Sequence, residues 1–113
     1  ETYLAALEKE FPSISFTYFQ SNIEGELIAQ VQKDGFEVDG ILLNAGACSL
    51  TSLGLHDAIT QMHAAAVELH ISNTFAREDF RHQSYISGVA KGLIVGFGLD
   101  SYRLGVLSFL GEH

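Results

Sequence analysis

Apolar residues fall at positions 3, 4, 7 and 11 of the opening stretch ETYLAALEKEF (residues 1–11), the recurrence of a helix, and Pro12 ends it. Residues 14–20 (ISFTYFQ) are rich in β-branched and aromatic side chains and predict a strand. Helical spacing returns over residues 23–33, with Ile23, Leu27, Ile28 and Val31 on one face. Residues 38–44 (VDGILLN) form a short apolar run that predicts a buried strand. The tight loop Ala45-Gly46-Ala47 follows, and Ser52 is placed to cap a helix running to about His63. A third strand is expected over residues 65–70, then a polar segment over 72–87. Residues 92–97 (GLIVGF) predict the fourth strand and residues 100–110 the last helix.

Strands alternating with helices imply parallel βα units, with helices covering both faces of the sheet. The expected fold is an α/β, flavodoxin-like, doubly wound parallel sheet forming a single domain over residues 1–113. Such a domain normally opens on a strand, and this chain opens on a helix. In the order 2-1-3-4-5 that first strand lies inside the sheet, so an inner strand is expected to be absent from the sequence. Its absence would leave buried backbone groups unpaired, at ~1–3 kcal/mol each.

Composition narrows the function. A hydrophobic fraction of 47% fits a globular chain, and no stretch matches a membrane span or a signal peptide. The net charge of −8, with only six scattered basic residues, argues against nucleic acid. The lone Cys48 excludes an internal disulfide and suits a reducing compartment, so a cytoplasmic location is expected. In so acidic a chain Arg77 and Arg81 stand out, since an anionic ligand needs a cation.

The richest chemistry lies in VELHISN (residues 67–73). A period of two places Glu68, His70 and Ser72 on one face, with Val67, Leu69 and Ile71 on the other. A carboxylate beside an imidazole can fix its tautomer and favour its protonated form, which prepares a general acid; the same spacing also suits a structural ion pair. Asn44 and His70 each end a strand run, and ligands of open parallel sheets bind beyond those ends. The turn after Asn44 can hold an oxyanion or a water, or simply stabilise the bend. Arg77 and Arg81, four apart around Glu78 and Asp79, read on local grounds first as a solvated helix face. Gly96-Phe97-Gly98 begins like a dinucleotide fingerprint, but Ser101 stands where its third glycine belongs. Cys48 reads as a small buried hydrophobe. His56 and His63 are seven apart, too far for the usual metal pair, so no metal is expected.

Taken together, FQSNIEGELI (19–28), DGILLNAGA (39–47), VELHISN (67–73), AREDFRHQSYIS (76–87) and the sequence from residue 90 onward resemble the type II dehydroquinases. The resemblance runs over essentially the whole chain. It implies a flavodoxin-like subunit forming trimers, four of which make a dodecamer. It also implies anti-elimination of water from 3-dehydroquinate through an enolate, giving 3-dehydroshikimate in the shikimate and quinate pathways, with no cofactor or metal. Carried over by motif, Asn44 would hold the water or oxygen that stabilises the enolate, and His70 would be the general acid with Glu68 as partner. Ile71 and Ser72 would contact the substrate carboxylate, and Arg81 a ring hydroxyl. Asp57 would reach a neighbouring subunit's site. The family's first strand and its lid, which carries an essential Arg and the general-base Tyr, would precede Glu1.

The chain departs from the family pattern after Asn-Ala-Gly-Ala, where Leu50 replaces a histidine expected to bind substrate. Ala65 and Gly88 also stand near places where proline is common. These departures are expected to impair activity and suit a diverged or engineered sequence. The alternative reading is therefore a catalytically inactive oligomeric scaffold of the same fold. A flavodoxin-like domain for a phosphate-bearing cofactor has little support, because no phosphate-cradling loop is visible.

Overall fold

The computed structural model describes residues 2–44, 52–71 and 89–111, and its elements follow the apolar periodicity closely. Helical spacing at the amino end becomes α1 (Thr2–Glu10), which stops before Pro12. A proline ring cannot continue the ladder, because it lacks the N–H and crowds the preceding turn. Then come α2 (Glu24–Asp34), β1 (Gly40–Leu43), α3 (Leu53–Gln61), β2 (Ala65–His70), β3 (Gly92–Val95) and α4 (Asp100–Leu110). Ser52 caps α3 as expected, its hydroxyl accepting the Leu55 N–H at 2.9 Å. No described helix is long and apolar enough to cross a membrane.

One expected element is not a strand. Residues 14–20 carry no β ladder, and Tyr18 and Phe19 are exposed. The physical reason is pairing: β-propensity expresses the fit of side chains to a neighbouring strand, and an extended run without one makes no ladder. The described sheet has the order β1-β2-β3, so β1 has β2 as its only neighbour among the described residues.

Both pairings are parallel, with Gly40↔Ala65 to Leu43↔Glu68 on one side of β2 and Val67↔Gly92 to His70↔Val95 on the other. Partners across a parallel pair share a face, so Ile41 and Leu43 project with Ala66 towards α2 and α3. There they join Val31, Leu55, Ala58 and Ile59 in the principal core cluster. The other face, carrying Leu42, Val67 and Leu69, is covered by α4, which packs on all three strands.

Two glycines set that second layer close. A Cβ at Gly40 would stand 2.8 Å from the Phe109 ring, and one at Gly105 would stand 2.6 Å from Leu42 Cδ2. Helix and sheet thus approach where side chains are missing on one side of the contact. Along its outer side α4 meets α1, with the Tyr3 and Tyr102 ring centroids 6.5 Å apart and Arg103 Nε donating to Glu10 Oε2 at 2.8 Å.

Candidate active site

β2 is the middle strand of the described sheet, covered on both faces, and four of its six residues are buried. Alternation sends Val67 and Leu69 to the α4 face, and Ala66, Glu68 and His70 to the other. A run that is otherwise apolar therefore delivers a carboxylate into the interior. Glu68 is 1% exposed and the His70 side chain 15%, with Glu68 Oε2 2.5 Å from His70 Nε2. Burial of a carboxylate is costly unless hydrogen bonds replace its hydration, and His70 is one of the groups that does so. The pair expected from i, i+2 spacing is formed.

With Nε2 engaged by Glu68, Nδ1 is the ring nitrogen left to exchange a proton. His70 is the last residue of β2, so its ring sits at the carboxyl edge of the sheet, partly open to solvent. Asn44 follows the last residue of β1 at the same edge and is exposed. The structure thus places Asn44, His70 and Ile71 along one rim. Asp57 is on α3, with its side chain 70% exposed and Oδ1 3.2 Å from His56 Nδ1. Ser72, Arg77, Arg81, Cys48 and Leu50 lie outside the described residues. A shallow recess lined in part by Ile59, Met62, Ala65 and Lys91 sits at the opposite end of β2, away from His70.

The rim also has a support that sequence reasoning missed. Gly96 N–H donates to the His70 carbonyl and Gly98 N–H to the Ile71 carbonyl, both at 2.8 Å. Both glycines have positive φ, 94° at Gly96 and 60° at Gly98. The available signal was the pair of glycines directly after a strand.

A parallel α/β domain with a carboxylate-backed imidazole at the carboxyl rim of its sheet has the makings of an acid–base enzyme. The family model described as dehydroquinase class II matches residues 1–110. The 3-dehydroquinate dehydratase of Chlorobaculum tepidum is 47% identical over 108 residues, covering 90% of this chain and 70% of that protein. That of Bacillus subtilis is 46% identical over 100 residues, covering 88% of this chain and 68% of the relative. The crystal structure of type II dehydroquinase from Butyrivibrio crossotus superposes with a TM-score of 0.88 at 36% identity, covering 97% of this chain and 79% of that one. The chain belongs to the type II dehydroquinase family, whose members are hydro-lyases.

Proposed function

We propose that the chain acts as a 3-dehydroquinate dehydratase, removing water by anti-elimination through an enolate to give 3-dehydroshikimate. The observation that carries the reading is the Glu68–His70 pair, formed at the carboxyl rim of a parallel sheet. Protonated His70 gives its Nδ1 proton to the departing hydroxyl as the carbon–oxygen bond breaks, so water leaves and the enolate's electrons form the new double bond. Glu68 orients the ring through its contact with Nε2. Asn44, exposed at the same rim, holds the water or oxygen that stabilises the enolate. The Ile71 amide and the Ser72 hydroxyl take the carboxylate, and Arg81 a ring hydroxyl. The base that removes the C2 proton is the Tyr of the family's lid, which the resemblance places ahead of Glu1. No cofactor or metal enters this reading.

Assembly belongs to the same reading. Exposed Leu93, Phe97, Leu99, Leu107 and Leu110 on β3, α4 and their connection supply apolar surface of the kind that interfaces cover. Trimers assembling to a dodecamer would bring Asp57, exposed on α3, to a neighbouring site. The setting is the shikimate or quinate pathway in the cytoplasm.

The test follows enone absorbance with 3-dehydroquinate, using the 113 residues alone and the same residues joined to a family first strand and lid. The joined chain is expected to turn over. The 113 residues alone should be slower by about 10²–10⁴-fold, the usual contribution of a positioned base. A joined chain that neither binds nor converts 3-dehydroquinate yet still assembles would establish the scaffold reading that Leu50 favours.

A further inference from the structure

We infer that Leu93 is a positioning residue for the Glu68–His70 pair: it walls the buried carboxylate on the β3 side and keeps water from competing for it. The wall follows from the sheet register alone; its effect on turnover rests on the dehydratase reading.

Glu68 is in register with Leu43 on one side and with Leu93 on the other. Neighbouring strands lie about 4.8 Å apart, and partners in a parallel pair point to the same face. The Glu68 side chain therefore leaves the sheet between two leucines, and His70, one pleat further along, leaves it beside Val95. Neither leucine carries a hydrogen-bonding group, so neither offers His70 Nε2 a rival for the carboxylate.

The two walls differ. Leu43 is 7% exposed and belongs to the principal core cluster, whereas Leu93 is 44% exposed on an end strand of the described sheet. Glu68 is 1% exposed although it stands one strand from that end, and Leu93 lies between its carboxylate and the edge. A hydrogen bond between a carboxylate and an imidazole strengthens where water is excluded, because water otherwise shares the oxygen lone pairs. The hydrocarbon of Leu93 thus does for the pair what a polar side chain of the same size does not. Asparagine provides the comparison, since it nearly matches leucine in size but carries an amide that can donate to Glu68 and hold water beside it.

Leu93→Asn and Leu93→Ile therefore form the informative pair. The readouts are the imidazole ¹⁵N shifts of His70, exchange of its Nε2 hydrogen with water, and, in a lid-bearing chain, kcat and KM for 3-dehydroquinate. Leu93→Asn should move the Nε2 shift, speed the exchange about tenfold, and lower kcat about tenfold while KM stays within about twofold. Leu93→Ile, which keeps volume and hydrocarbon, should hold every readout within about twofold of native. Because Leu93 is also exposed apolar surface, each variant is sized, and Leu93→Ala replaces Leu93→Asn under the same criteria if that variant misfolds or changes size. Native exchange and ¹⁵N shifts in the polar variant would overturn the inference, as would moved signals beside a native kcat. An equal loss in Leu93→Ile would also overturn it, since the effect would then be one of packing. If the native lid-bearing chain does not turn over 3-dehydroquinate, the dehydratase reading fails alone; the imidazole signals still decide the role of Leu93.

Discussion

Glu68 and His70, two residues apart on one face of β2, meet side chain to side chain, with Glu68 Oε2 2.5 Å from His70 Nε2. The strand's pleat makes the contact, since no other local geometry puts positions i and i+2 side by side with both near the same strand end. One member is buried and the other reaches the rim, so the interior supplies a fixed partner and the surface the group that it orients.

Replacing His70 with Ala should lower turnover by about 10²–10⁴-fold in a lid-bearing chain, the usual contribution of a general acid. Glu68→Gln should cost less. An amide can still orient the ring, while a hydrogen bond to a charged group exceeds a neutral one by ~1 kcal/mol, or roughly fivefold in rate. Steady-state turnover of both variants beside a sizing run checks this. Near-native activity in His70→Ala would make the pair structural.

The same contact predicts a tautomer. When neutral, His70 should carry its hydrogen on Nε2, donated to Glu68, and leave Nδ1 unprotonated. Imidazole ¹⁵N shifts of the resting protein report this directly. A hydrogen on Nδ1 would mean that Nδ1 is not the proton-accepting nitrogen in the neutral resting state.

Close packing of α4 on the sheet gives a stability prediction. Gly105→Val must displace Leu42, whose Cδ2 lies 2.6 Å from where a Cβ would stand. Overpacking of this kind costs about 1–3 kcal/mol, read as a shift of the denaturation midpoint at constant slope. Glu8→Ala, at an exposed position of α1, should fall within about 0.5 kcal/mol of the native chain in the same measurement. An unshifted midpoint in Gly105→Val would mean that α4 lies further from the sheet.

Alkaline stability should depend on Tyr3. Burial first, and the charge of Asp100 second, raise its phenol above the ordinary 10.0. The neutral form is favoured by folding, so this contribution is fully present below pH 10.0 and fades as pH rises through the folded value. Chemical denaturation across that range should show a shallower alkaline decline for Tyr3→Phe. Identical slopes in the two proteins would refute the assignment.

Local signals in the sequence were enough for the elements that depend on their own residues. Helical recurrence located α1, α2 and α4, Ser52 marked the start of α3, and period-two spacing in VELHISN put Glu68 beside His70. These are consequences of backbone period, which a sequence displays directly. Residues 14–20 show the limit, because strand propensity is realised only against a neighbour, and the sheet offers none there among the described residues. The depth of Glu68 and the closeness of α4 at Gly40 and Gly105 likewise depend on residues far away in the chain. Gly98 belongs with them. Its composition was plain, but its bond to Ile71 exists only because β3 lies beside β2 in that register, and the register is set by packing on both faces of the sheet.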